Sequence, residues 1–279
     1  MEITANQGVG LQVENRAMDP LRSTDSPKFR PAKVEIFAEN SRYLLKVAES
    51  EREIREAMQL RYEVFHCEYR GIEYQFGLDT DEFDKLADIL VILDKRSGKI
   101  VGTYRILCSD YTDDFYGNEE FYIDGVTETE GTKLELSRAC VHKDSRNGAV
   151  IHLLWKGIYQ YIVGTGARYL FGCSSITGLS VGQLGSIQRH FIRQGDVLTD
   201  RDVYPRPQYY FDQEAVTCQD TEQTQEPQQL IPSLLGMYLK AGAKVALIPA
   251  WDEYFQCFDF FTLLDTQELN PAFIKAFGS

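Results

Sequence analysis

Several things are scarce in this chain, and each scarcity excludes something. No apolar run approaches the ~18 residues that a membrane-spanning helix requires. The opening Met-Glu-Ile-Thr-Ala-Asn-Gln has neither the basic nor the apolar region of a secretory signal. Cys67, Cys108, Cys140, Cys173, Cys218 and Cys257 are widely spaced, with no C-x-x-C pair and no Cys/His cluster. That argues against a disulfide framework or a zinc site, and no metal is expected. Basic residues are outnumbered, 29 Lys/Arg against 42 Asp/Glu, for a formal charge of −13. A general nucleic-acid binder needs a basic face and is excluded. A cytoplasmic protein is expected, with a peripheral contact at the inner membrane face left open.

The charge deficit is uneven. Residues 138–206 hold nine Lys/Arg and four Asp, a net of +5, which leaves −18 elsewhere. Such a face suits an acidic protein partner, although the same charges scattered over several faces would mean nothing. A hydrophobic fraction of 43% and a charged fraction of 25% are ordinary for a globular protein. Residues 1–30 are polar and aperiodic and read as a mobile arm. With no repeat and no linker, residues 31–279 read as one α+β domain, a mixed central sheet flanked by helices, interrupted by a Gln-rich loop at 217–229.

Along that domain, strands are expected at Val34–Phe37, Tyr43–Ala48, Ile89–Leu93 and Lys99–Cys108, the last two joined by a hairpin turn at Asp94–Gly98. Ser50 caps a helix over Glu51–Phe65. A carboxylate-rich loop spans 66–88, and a short helical insertion falls near Phe115–Phe121. A strand over Leu134–Val141, a helix over Ala149–Val163 and a strand over Arg168–Cys173 form a parallel crossover unit. That helix opens at Asp144-Ser-Arg-Asn-Gly148, the kind of N-terminus that binds anions and suits a pantetheine-bearing donor. Residues 174–184 read as loop and Ser186–Gln194 as helix. A helix over Ile231–Lys240 and a strand pair, Lys244–Pro249 with Cys257–Leu264, complete the chain.

Arg61, Arg105 and Arg138 each interrupt an apolar run, so each must be paired or hydrogen-bonded. Ser137 and Cys140 have no His-Asp pair at a recognisable spacing and read as strand residues. His66, His152 and His190 read as isolated structural histidines. Tyr62, Phe65, Phe76, Tyr104 and Phe171 would line an apolar tunnel or simply the core.

Five motifs occur in order: Leu60-Arg-Tyr-Glu-Val-Phe65, Asp79-Thr-Asp-Glu-Phe-Asp84, Val101-Gly-Thr-Tyr-Arg105, Glu135-Leu-Ser-Arg138, and a closing Pro249-Ala with Asp259-Phe-Phe. Together they resemble the ornithine lipid N-acyltransferases, hemolysin-like members of the Gcn5-related N-acetyltransferase (GNAT) superfamily, related to acyl-homoserine-lactone synthases. The resemblance covers roughly residues 43–266. It implies a GNAT-like fold and attack of an amino-acid α-amine on an acyl thioester, moving a (3-hydroxy)acyl chain from acyl carrier protein to ornithine. Other acceptors such as glycine, a signal-synthase product, and a non-catalytic carrier-binding or hemolysin-type module are the alternatives.

Under that resemblance Glu135 is the base, directly or through water, or else a salt-bridge partner of Arg105 or Arg138. Arg105 and Arg138 complete the catalytic group. Asp79, Asp81 and Asp84 with Arg61 hold the amino acid, the aspartates on its ammonium groups; the plain alternative is a solvated acidic loop with a capping Asp. Val141, Arg146, Asn147, Gly148 and Ala149 face the pantetheine arm. The single glycine in that loop favours an acyl-phosphopantetheine on acyl carrier protein over coenzyme A. His142, Lys143, Arg146 and Lys156 could face the carrier, or merely solubilise the loop. No bound cofactor is expected.

Overall fold

The structure is a computed structural model that describes residues 31–72, 77–211 and 226–278. The expected arm at 1–30, most of the Gln-rich loop and Phe76 lie outside the described residues.

The sheet is built from β1 (Phe37–Glu39), β2 (Tyr43–Val47), β3 (Asp88–Asp94), β4 (Lys99–Cys108), β6 (Lys133–Val141), β7 (Tyr169–Thr177), β11 (Cys257–Asp265) and β10 (Ala250–Asp252), adjacent in that order. The short β9 (Lys244–Val245) also pairs with β11. A separate two-stranded piece joins β5 (Phe121–Tyr122) to β8 (Tyr204–Pro205). Within the large sheet β6 and β7 run parallel and the other ladders are antiparallel. β3 and β4 are buried along nearly their whole length because helices cover both faces.

The helices follow local signals. Ser50 accepts from Glu53 N at 3.3 Å to open α1 (Glu51–Tyr62), with Glu51 and Glu53 in its first turn. Two short helices, α2 (Gly117–Glu120) and α3 (Asp124–Thr127), form the expected insertion. Asn147 caps α4 (Gly148–Thr165), which ends at a left-handed Gly166. A Ser180–Gln183 capping box opens α5 (Val181–Gln194). Next come α6 (Pro227–Leu230), α7 (Ser233–Ala241) and α8 (Pro271–Phe277).

Two layers sandwich the sheet. On one side α4 presents Val150, Leu153, Trp155 and Ile158 to Leu45, Ile92, Ile106 and Leu136, with Phe273 and Phe277 of α8 closing the edge. α5 packs Leu184, Ile187 and Phe191 on Ile176, Phe258 and Phe260. On the other side α1 covers Ile89 and Val91, and an aromatic cluster of Phe83, Phe115, Phe121, Phe171 and Phe261 continues the layer. The candidate site lies on this second side.

Several boundaries differ from expectation. The first strand begins at Phe37, not Val34. The first helix does not stay α-helical to Phe65: it widens into a π-helical segment at Glu63–Tyr69, which buries Val64 and His66. The expected loop after Cys173 is strand as far as Thr177, because β11 pairs with β7 along its full length and supplies ladder partners to the small residues there. The late strand at 244–249 is only two residues long, paired with Thr262 and Leu263 of β11, whereas β10 pairs with the opposite end of β11 at Cys257–Asp259. α8 was not anticipated; Asn270 caps it, accepting from Ala272 N at 2.9 Å.

Candidate active site

Strands β6 and β7 pair only from Lys133/Tyr169 to Glu135/Phe171, although both run six residues further. Beyond that point they part. The separation begins at Gly172, where any Cβ would collide with the Leu136 carbonyl oxygen. On its other side β6 slips register against β4 between Thr103 and Arg105, and within the slip Arg138 takes a left-handed backbone with φ 53°. A non-glycine residue there is held by its surroundings, and such strain clusters at functional sites. The result is a cleft whose β6 wall has backbone groups outside the β6–β7 ladder, ready for an extended ligand.

Beside the cleft stands a buried network of charges. Arg61 on α1 donates to both Asp84 oxygens, at 2.7 and 3.1 Å, and through Nε to Asp79 at 2.8 Å. Arg105 on β4 pairs with Asp81, reaches Asp84 at 3.3 Å, and donates through Nε to Ser137 Oγ at 2.9 Å. Arg138 donates to Asp81 Oδ2 at 3.1 Å and lies 3.6 Å from Asp79. Asp81 and Asp84 also form a capping box around a single 3-10 turn, Glu82–Lys85. Burial alone would push Asp79 and Asp81 up, but Arg61 and Arg138 hold Asp79, and Arg105 and Arg138 hold Asp81, well below the usual carboxylate range. Three guanidiniums thus balance three carboxylates. The arginines meet the acidic string, which is therefore not the solvated loop that its composition allows. Its charge is also already spent, which leaves little for a substrate ammonium.

Among the described residues two buried donors of the network lack a hydrogen-bond acceptor, Arg105 Nη2 and Arg138 Nε, the latter turned toward Asp79 Oδ1 at 3.6 Å, too far for a hydrogen bond. The Tyr116 ring lies over Arg138, 4.8 Å from its guanidinium carbon, and 5.6 Å from that of Arg105. A guanidinium pair with spare N–H groups beside an aromatic wall is suited to gripping a carboxylate.

Glu135 lies at the fork of the two strands. It forms no ion pair with Arg105 or Arg138 among the described residues. Its oxygens accept instead from the backbone N–H groups of Tyr116, at 2.8 Å, and Gly117, at 2.6 Å. It therefore anchors the start of α2 and fixes Tyr116. Burial raises its carboxyl to about 7 against the opposing pull of Arg105 and the two amides.

His66 is not isolated, as its sequence position suggests. It bridges Asp79, at 2.9 Å, to the Tyr254 hydroxyl, at 3.1 Å, and so ties the β10–β11 hairpin to the network. No short-range spacing could reveal this, since the partners lie 13 and 188 residues away.

The pantetheine-loop residues are placed differently from one another. Val141 ends β6 on the cleft wall, and Arg146 donates from Nε to its carbonyl at 3.0 Å. The Arg146 guanidinium is also bidentate to Glu68. Asn147 caps the helix, accepting from Ala149 N at 3.1 Å and Val150 N at 3.3 Å. Gly148 and Ala149 are exposed, with open space where a Gly148 Cβ would be.

Sequence reading missed one further cluster. Asp252, Cys257 and Asp259 bring their ligand-capable atoms within 4.8 Å of one another, and Glu120 shares their field. It could have been suspected from Asp259, an acidic residue inside the apolar run Cys257–Leu264.

The sheet order and the splayed parallel strands are those of the GNAT acyltransferase fold, and residues 60–156 match the acetyltransferase (GNAT) domain family. Over most of its length the chain is similar to proteins named L-ornithine N(alpha)-acyltransferase. The Rhodobacter capsulatus relative is 29% identical across 82% of this chain and 92% of its own, and the Brucella abortus relative 28% across 84% and 88%. Among solved structures, the acyl-homoserine-lactone synthase LasI aligns with a TM-score of 0.48 at 13% identity, over 85% of this chain and 95% of that one. The N-acyl amino acid synthase FeeM, from uncultured soil microbes, aligns at 0.44 and 13%, over 81% and 92%.

Proposed function

We propose that this protein acylates the α-amine of ornithine, drawing a (3-hydroxy)acyl chain from acyl carrier protein and releasing lyso-ornithine lipid for lipid biosynthesis, with residues 31–279 acting as one catalytic unit. The observation that carries this reading is the pairing of the β6–β7 cleft, shaped for a thioester arm, with Arg105 and Arg138, whose spare donors suit an amino-acid carboxylate. The names of the similar proteins supply the choice of ornithine.

The chemistry needs little beyond placement. The acyl thioester lies along β6 with its carbonyl at the fork, where backbone N–H groups stabilise the oxyanion. The α-ammonium gives its proton to Glu135, through a water, since both carboxylate oxygens already serve Tyr116 and Gly117. The amine nitrogen then bonds to the carbonyl carbon, the carbon–sulfur bond breaks, and the thiolate leaves with a proton. Arg138 and Arg105 hold the acceptor's carboxylate, and the network behind them keeps both guanidiniums in place. Carrier protein is preferred to coenzyme A because Asn147 already caps the start of α4 and the turn there holds a single glycine, Gly148, the first residue of the helix.

Expression in a bacterium without amine lipids, followed by mass spectrometry of the lipid extract, tests the reading. N-acyl-ornithine is the expected new species. N-acyl-glycine would redirect the assignment, and no acyl-amine at all, with folded protein present, would overturn it.

A further inference from the structure

Behind Tyr116, on the same side of the sheet as the arginine network, lie three buried carboxylates that the proposed chemistry does not use: Glu120, Asp252 and Asp259. They come from three elements, α2, β10 and β11. Among the described residues no Lys or Arg forms an ion pair with any of them. Asp259 accepts from Ser175 Oγ and, at 3.6 Å, from the Cys257 thiol; Asp252 accepts from Phe255 N at 2.8 Å. Glu120 accepts from the Tyr116 hydroxyl and the Cys173 thiol, yet among the described residues its Oε2 is buried without a hydrogen-bond partner, in a residue only 2% exposed. Burial, Asp259 and Asp252 push Glu120 well above the ordinary range, and burial followed by Asp252 raises Asp259 to about 6.

While empty, such a set retains protons, because neighbouring desolvated carboxylates repel one another, and one oxygen lacks a donor. A ligand supplying positive charge and several N–H donors would relieve both. The place can be reached: Ser175, bonded to Asp259, is exposed, and Cys173 is half-buried, both on the part of β7 that has separated from β6. Tyr116 stands between the carboxylate trio and Arg138. An elongated molecule with a carboxylate at one end and a cation at the other matches that order.

We propose that Glu120, Asp252 and Asp259 receive the side-chain ammonium of a dibasic amino-acid acceptor, while its carboxylate lies on Arg138. Three donors on an ammonium match acceptors converging from three elements. A divalent metal fits less well, because Cys257 keeps its proton to donate to Asp259 and no histidine joins the set. This inference rests on the ornithine reading and adds the residues that select the second amine.

The test compares L-ornithine with L-norvaline, which has the same carbon chain without the δ-amine, using acyl carrier protein loaded with 3-hydroxyacyl chains. The wild-type kcat/KM ratio should favour ornithine by about 100-fold. Asp259→Asn and Glu120→Gln should each lower that ratio at least about tenfold, chiefly through the KM for ornithine. Calorimetry with 1,4-diaminobutane reads the subsite without turnover: wild type should bind it, and the folded double variant should not. A wild type that turns over neither acceptor yet binds the diamine defeats the ornithine reading and keeps the cation subsite. An unchanged ratio in folded variants, no diamine binding by wild type, or calorimetric binding of Zn2+ in place of the diamine would overturn the inference.

Discussion

Arg61 and Asp84 are held face to face by two N–H···O bonds of 2.7 and 3.1 Å, both side chains buried, one from helix α1 and the other from a 3-10 turn 23 residues later. Neither charge could stay there alone, because an unpaired buried ion costs several kcal/mol. The pair therefore fastens the carboxylate-bearing turn to the helix, and the turn in turn positions Arg105 and, through Asp81, Arg138.

Breaking that pair should be severe. Asp84→Asn leaves the Arg61 guanidinium without its bidentate acceptor and should cost about 3–5 kcal/mol. Urea unfolding, read as a lowered midpoint with an unchanged slope, measures it. A loss below about 1 kcal/mol would mean that water reaches the network.

At Arg138 the expectation is reversed: activity should suffer more than folding. Arg138→Lys keeps one charge but loses the fork that meets Asp81 and, on the proposed reading, a substrate carboxylate. A rise in the amino-acid KM of roughly 10–100-fold, with a melting temperature within a few degrees of wild type, is the expected pattern. Its left-handed backbone adds a separate signature. Arg138→Gly removes the guanidinium and the backbone strain together, so it should lose activity while retaining more stability than Arg138→Ala.

Glu135 gives a pH prediction with a definite sign. Its folded carboxyl is raised from 4.5 to about 7 and that of Asp259 from 3.8 to about 6, so the folded state binds protons that the unfolded chain has already lost. Their contribution is complete below about pH 4 and disappears as pH rises through 6 and 7, an effect of the order of 3 kcal/mol for Glu135. Asp79 and Asp81 act oppositely: their stabilisation is present above about pH 4 and is lost only in strong acid. Thermal melting should therefore peak in mildly acidic solution and decline toward pH 8, with a shallower decline in Glu135→Gln. A melting temperature that climbs steadily from pH 5 to pH 8 would contradict this. In kinetics, wild-type kcat/KM for the amine should rise with a limb near pH 7, and Glu135→Gln should lower kcat by about 10²–10⁴.

Gly172 tests the strand fork by itself. Gly172→Ala pushes a methyl group into the Leu136 carbonyl and should destabilise the protein by about 1–3 kcal/mol while forcing β6 and β7 apart at the fork. The donor KM should rise more than the acceptor KM. An equal rise in both would place the fork outside the donor path.

Local signals made most of the fold legible. Ser50, Asn147 and the turn at Asp94–Gly98 mark boundaries that the structure keeps within a few residues. An arginine inside an apolar run demands a partner, so Arg61, Arg105 and Arg138 are marked in the sequence as members of a buried charge network. What sequence could not resolve was assignment within the network. Whether the aspartates face substrate or arginine depends on how α1 and β4 converge, and that is a tertiary fact. Glu135 likewise received backbone amides from an insertion whose path no periodicity describes. The trio of Glu120, Asp252 and Asp259 is drawn together from positions up to 139 residues apart, and only the pairing of β10 with β11 and β7 shows it.

The most direct measurement uses purified protein, L-ornithine and 3-hydroxyacyl chains presented on acyl carrier protein or on coenzyme A, with free thiol and product followed together. The account predicts one thiol released per N-α-acyl-ornithine formed, with higher kcat/KM for the carrier-bound donor. Thiol release without an amide, or acylation confined to the δ-nitrogen, would contradict it.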